Sequence, residues 1–166
     1  MFTPTLNQIA WAVTLSNLVG VLPLYQAVGK LAAGIAYDAY IPITWWIELI
    51  LLLLSITASI LMHMSETKHG LNGVLIDGRP FTNYSTEFLW MDRFAALFLG
   101  GYVAIEIWRG TYHLTPVILI VGVIGLLAMF VSENLAKTPV QFMIAHSLWH
   151  AIAYMTLWAL FAEPLF

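Results

Sequence analysis

Residues 43–64 read ITWWIELILLLLSITASILMHM, and this stretch decides the fold. It supplies the roughly 20 mostly apolar residues that a helix needs to cross a bilayer. Trp45 and Trp46 near its start are typical of anchors at the membrane surface. We therefore predict a transmembrane helix here, with Ser59 and His63 near its far end.

The composition of the whole chain also indicates a membrane protein. Of its 166 residues, 61% are hydrophobic and 9% are charged, whereas a soluble domain carries roughly 25% charged residues. The net charge of -3 comes without a basic stripe, so the sequence favours no nucleic-acid partner. Cysteine is absent, so any bound metal must be held by histidine, carboxylates or water.

Apolar stretches separated by short polar segments predict a single transmembrane domain over residues 1–166. The fold class is therefore all-α, a polytopic transmembrane bundle of about five helices. The expected helices are approximately 8–37, 43–64, 86–108, 115–132 and 140–161. The first is longer than one bilayer crossing and contains Pro23. One tilted, kinked helix is expected there, with a helix plus a re-entrant turn as the alternative.

Two local features refine these helices. Ser85 and Thr86 are expected to cap the third helix at its start. Gly122 and Gly125 are expected to be positions of close packing in the fourth, because small residues let membrane helices approach each other.

Five polar side chains in or beside these helices are the candidate functional residues. Ionisable groups inside a membrane are costly and by default indicate function. Two pairs are separated by four residues, so each pair shares one helical face. The five side chains are Ser59, His63, Asp92, His146 and His150.

The order of the helices predicts that these side chains meet. The second helix ends at the membrane face where the third begins. The third and fourth helices cross and return, so the fifth helix begins at that same face. All five side chains lie within one or two turns of these helix ends. The sequence thus brings three imidazoles and one carboxylate to a similar depth.

Three neutral imidazoles suit Zn²⁺, and catalytic zinc keeps one position for water. A histidine pair at i and i+4 can bind one ion from a single helix. Asp92 is then expected to hold or deprotonate the water, and Ser59 to polarise a carbonyl or stabilise an oxyanion. For each histidine taken singly, the alternative is a hydrogen-bonded packing residue. Haem ligation by His63 against a histidine of the last helix is a further alternative.

Other charged and histidine residues receive simpler interpretations. Glu106 and Arg109 are three residues apart, which favours a local ion pair. Glu133 is interpreted as a helix-end carboxylate, with an outer hydrogen bond to a histidine as the alternative. His69 and His113 lie in predicted loops and receive no role.

At the five candidate residues the chain resembles the CREST superfamily of membrane hydrolases. This group includes alkaline ceramidases, progestin and adipoQ receptors, and myomaker-like proteins. Its pattern is Ser-x-x-x-His in an early helix, Asp at the head of the next, and His-x-x-x-His in the last. The resemblance covers roughly residue 45 to the C-terminus. The matching segments are Ser59-Ile-Leu-Met-His63, Trp90-Met-Asp92 and His146-Ser-Leu-Trp-His150.

The resemblance implies a zinc-dependent hydrolase of lipid amides such as ceramide. By position, His63, His146 and His150 would be zinc ligands. Asp92 would orient the water, and Ser59 would contact substrate or water. Membrane lipids are the expected partners.

The chain departs from this family in length. Family members usually have seven transmembrane helices, and this chain has room for about five. The shortage lies between the Asp92 helix and the last helix, where one hairpin is missing. The alternative function is therefore a non-enzymatic accessory or assembly subunit of a larger membrane complex. Its partner subunits would close the chamber, and its metal site would be structural or vestigial.

Overall fold

The architecture consists of five rods of helix in the residues that the computed structural model describes, 4–66 and 79–162. The first rod contains α1 (Leu6–Ser16), one 3₁₀ turn (Asn17–Gly20) and α2 (Val21–Ala36). No strand occurs in these described ranges. The all-α, five-helix architecture expected from the sequence is confirmed. The other four rods are α3 (Ile43–Ser65), α4 (Ser85–Trp108), α5 (Pro116–Phe130) and α6 (Pro139–Phe161).

Four of the rods are long and apolar enough to cross a membrane. The fifth, α6, is also long, with 23 residues, but its polar side chains make it less apolar and it falls outside this group. Length and composition thus assign the chain to the membrane proteins. The four candidate spans are Leu6–Ala36, Ile43–Ser65, Thr82–Trp108 and Pro116–Leu135.

The first rod is one continuous helical run with a local interruption. Proline lacks an N–H group, and its ring clashes with the carbonyl four residues earlier. For Pro23 that carbonyl belongs to Val19, which lies in the 3₁₀ turn between α1 and α2. The interruption therefore follows from Pro23. The single interrupted helix is observed, and the re-entrant turn is not.

The expected side-chain cap of α4 is wrong. Ser85 is the first residue of α4 and Thr86 the second, and the capping position is Tyr84, which makes no side-chain cap bond. A 3₁₀ turn, Thr82–Tyr84, leads directly into the helix. The backbone N–H of Ser85 bonds to the carbonyl of Thr82, so the turn satisfies the first free backbone donor of the helix.

The packing of the rods leaves α4 at one side of the bundle. The helix α6 packs against α1, α2 and α5, and α3 packs against α1, α2 and α4. Among the described residues α4 contacts only α3 and the 3₁₀ turn before it. The helix α1 contacts both α3 and α6. The histidines meet beside it, where the last turn of α3 lies near the first half of α6.

The contact between α5 and α6 depends on Gly125. A Cβ atom at Gly125 would lie 2.8 Å from Cγ2 of Ile152, so Gly125→Ala is expected to destabilise the protein by about 1–3 kcal/mol through overpacking. The expected close packing at Gly122 is wrong, since a Cβ atom there would lie 4.0 Å from Thr156, and this makes Gly122 the matched control. Chemical denaturation in detergent micelles would measure both variants. Equal stability of the two would contradict the close-packing role of Gly125.

A buried charged cluster lies at the opposite end of the bundle from the histidines. Lys30 Nζ donates to both oxygens of Glu48 at 3.3 Å. The hydroxyl of Tyr112 donates to Glu48 Oε2 at 2.7 Å. Burial and the Glu48 carboxylate raise the pKa of Tyr112, which keeps its hydroxyl a proton donor. Nearby, Arg109 donates to Glu106 at 2.9 Å, which is the expected local ion pair.

Candidate metal centre

Three histidines from two helices converge in the interior of the bundle. His63 lies in the last turn of α3, and His146 and His150 lie on one face of α6. One ring nitrogen from each lies within 4.8 Å of the others. All three residues are buried, with at most 6% of their surface exposed. This group can hold a metal ion.

The start of α6 sets the depth of its two histidines. Thr138 caps the helix by accepting a hydrogen bond from the backbone N–H of Gln141, and Pro139 follows as the first helical residue. Both features are favourable at a helix start. His146 and His150 then lie two to three turns into α6, on the face from which their rings reach the ring of His63.

Each histidine has a hydrogen-bonding partner at Nδ1. His150 Nδ1 lies 2.7 Å from Ser16 Oγ, at the end of α1. His146 Nδ1 lies 3.2 Å from Ser132 Oγ and 3.4 Å from a carboxylate oxygen of Glu133. His63 Nδ1 lies 3.4 Å from a carboxylate oxygen of Glu66. Nε2 is therefore the nitrogen that each ring has available for a metal.

The surroundings of the Nε2 atom of His63 indicate that a metal fits the cluster. This nitrogen is buried and has no hydrogen-bond partner among the described residues. An unsatisfied buried polar atom costs about 1–3 kcal/mol, and a cation shared with the other two rings removes that cost. Metal-bound histidines almost always have their other ring nitrogen hydrogen-bonded. The donor set therefore fits a metal held by three imidazole nitrogens.

The same geometry disfavours haem ligation. The rings of His63 and His150 meet edge to face, with centroids 5.1 Å apart. Those of His63 and His146 are 4.9 Å apart in a similar arrangement. Rings in direct contact leave no room for a porphyrin plane between them.

Asp92 and Ser59 lie beside the three histidines. Ser59 is buried on α3, one turn before His63. Asp92 is half-buried on α4, and it interacts electrostatically with His63 and His146 and with the Ser59 hydroxyl. Asp92 does not belong to the group of converging ligand atoms. Its position suits a group that acts on water or substrate next to a metal.

The remaining sequence-based assignments have varied outcomes. Glu133 combines both interpretations, since it lies in the π-helical turn Val131–Leu135 that follows α5 and also contacts His146. His113 is exposed in the loop between α4 and α5, away from the cluster. His69 lies outside the described residues.

Sequence reasoning missed four of the described residues around the cluster. Ser16, Ser132 and Glu66 contact histidine rings, as described above. The guanidinium of Arg79 donates to the carbonyl of His63 and to Thr14 Oγ1, and it lies 4.6 Å above the ring of Trp11. For Ser16 a signal was available, because a polar side chain inside a long apolar stretch is itself notable. No local pattern distinguishes Arg79.

Comparison of the chain with protein-family models, with curated protein sequences and with solved structures finds no match. The chemistry of the site therefore has to be inferred from its own residues.

Proposed function

We propose that the protein is a zinc-dependent membrane hydrolase of lipid amides, a shortened relative of the ceramidase-like CREST enzymes. It is a multi-pass integral membrane protein whose site lies near one membrane face. The observation that carries the proposal is the convergence of three histidine nitrogens within 4.8 Å. His63, His146 and His150 are the zinc ligands.

The chemistry divides between the metal and the side chains beside it. The three histidines would hold zinc, which when bound would supply a Lewis acid and a water activated at neutral pH. Asp92 accepts the proton of the attacking water and returns it to the leaving amine nitrogen. The Ser59 hydroxyl donates a hydrogen bond to the amide oxygen as negative charge develops there. The products are a fatty acid and an amine.

The lack of close packing between α4 and α6 supports the proposal that the substrate enters from the membrane. Within the described chain α4, which carries Asp92, makes no close backbone contact with α5 or α6. Its exposed side chains include Leu97 and Phe98, at 68% and 63% of their surface. An acyl chain in the bilayer can therefore approach the histidine cluster laterally, between α4 and α6.

Asp92→Asn tests the chemical step. Turnover of a long-chain ceramide is expected to fall about 10²–10⁴-fold, the usual contribution of a general base, while the zinc content stays at the wild-type level. Mass spectrometry of the released fatty acid would measure turnover, and elemental analysis would measure zinc. His113→Ala is the matched control and is expected to keep its activity. Full wild-type activity after removal of the metal by a chelator would reject the proposal.

A second candidate function is an accessory or assembly subunit of a membrane complex, with a structural metal. The exposed small residues of α4 favour it: Ala96 is exposed, and a Cβ atom at Gly100 would have no neighbour within 4 Å. Small residues suit contacts between membrane helices. Purification in fixed stoichiometry with a larger complex, together with no turnover of lipid amides, would favour this function over hydrolysis.

A further inference from the structure

The hydroxyl of Ser16 has two close neighbours, and their chemistry fixes its proton. Ser16 Oγ lies 2.6 Å from the carbonyl oxygen of Val13 and 2.7 Å from Nδ1 of His150. A carbonyl oxygen can only accept a hydrogen bond, whereas a hydroxyl has one proton and two lone pairs. The hydroxyl therefore donates to Val13, and its oxygen accepts a hydrogen bond from His150 Nδ1–H.

Ser132 repeats this arrangement on a different helix. Its Oγ lies 2.7 Å from the carbonyl oxygen of Met129 and 3.2 Å from Nδ1 of His146. Each serine thus donates to the carbonyl three residues earlier in its own helix. The carboxylate of Glu133, 3.4 Å from the same Nδ1, is another group that accepts. His146 therefore also carries its proton at Nδ1.

These contacts settle which nitrogen of each ring has a lone pair. In a neutral imidazole one nitrogen is the donor and the other is the acceptor. With Nδ1 protonated on His146 and His150, both Nε2 atoms are acceptors. At His63 the Glu66 carboxylate lies 3.4 Å from Nδ1, and it can only accept. All three rings then present unprotonated Nε2 atoms.

We propose that Ser16 and Ser132 are positioning residues that hold His150 and His146 in the Nδ1–H tautomer before any metal arrives. The first helical rod, outside the recognised motifs, thereby takes part in building the centre. The inference rests on the metal binding of the proposed function and is independent of whether the protein hydrolyses amides.

Metal affinity tests the proposal with matched variants. Ser16→Ala and Ser132→Ala are each expected to weaken zinc binding on the order of 10–100-fold, the usual effect of removing an outer partner of a metal ligand. Ser16→Thr is expected to keep the wild-type affinity, because its hydroxyl can still bond an earlier carbonyl of the helix. Ser147→Ala, next to His146 in sequence, is the control. Competition with a chelating dye in micelles would measure all four.

The tautomer itself can be observed without metal. Long-range ¹H–¹⁵N correlation spectra of metal-free protein labelled with ¹⁵N-histidine are expected to show the Nδ1–H pattern for His146 and His150. In Ser16→Ala the population of the Nδ1–H tautomer is expected to fall for His150 alone, and the backbone of Val13, which also hydrogen-bonds to this ring, is expected to retain part of it. An Nε2–H tautomer in the wild-type protein, or unchanged zinc affinity in both alanine variants, would overturn the proposal. Normal tautomers and zinc affinity without lipid-amide turnover would reject hydrolysis alone.

Discussion

Replacing His63 with alanine is expected to reduce the zinc content of the purified protein from about one ion per chain, as in a three-histidine site, to background. His63 contributes the one nitrogen of the converging group that comes from α3, and the other two come from α6. Without it, only two of the three nitrogens remain for the metal, both from one helix. The loss is expected to exceed the roughly 10–100-fold effect of removing an outer hydrogen-bonding partner.

His113→Ala is the control for this experiment, since His113 is exposed in a loop and lies outside the converging group. Zinc content after gel filtration in micelles, measured by elemental analysis, would compare the two variants. Equal zinc content in His63→Ala and the wild-type protein would contradict the assignment of His63 as a ligand.

Lys30→Met is expected to have the largest effect on stability, about 3–5 kcal/mol, because removing one partner of a buried ion pair leaves the other charge uncompensated. Glu48 is 1% exposed, and Lys30 Nζ lies 3.3 Å from both of its oxygens. Among the described residues, Tyr112 alone would remain to donate to that carboxylate. The pair links α2 to α3, so its loss weakens the end of the bundle away from the histidines.

A double variant separates the charge from the packing. Lys30→Met with Glu48→Gln removes both charges, and the glutamine oxygen can still accept from Tyr112. Replacing both partners of a buried pair is often nearly neutral, so most of the lost stability is expected to return. Denaturant titration monitored by circular dichroism would measure both. A single variant as stable as the wild-type protein, or a double variant no better than the single one, would refute this account of the pair.

The histidine cluster could be predicted because it depends on features that sequence carries directly. The spacing of four between His146 and His150 fixes a shared helical face. Counting membrane crossings places the end of α3 and the start of α6 at the same face. Neither step requires the rotation of one helix against another. The residues that the structure brings together in the cluster are therefore those that the sequence singled out.

The partners of the histidines could not be predicted in the same way. The contact of Ser16 with His150 depends on how α1 is rotated against α6, and no spacing in the sequence determines that rotation. The pairing of Lys30 with Glu48 depends on the register between α2 and α3. The predicted cap of α4 was wrong for a local reason, since a short 3₁₀ turn leads directly into a helix that begins at Ser85 itself. Packing between helices determines the Ser16–His150 contact and the Lys30–Glu48 pair, whereas the start of α4 depends on local structure.

X-ray absorption at the zinc edge of the purified wild-type protein would show whether the three histidines hold zinc. We expect three imidazole ligands, with nitrogen atoms at about 2.0–2.1 Å from zinc. The imidazole scattering is expected to decrease when His63, His146 or His150 is replaced. Absence of zinc, or a zinc shell with fewer than three imidazoles in the wild-type protein, would contradict this expectation.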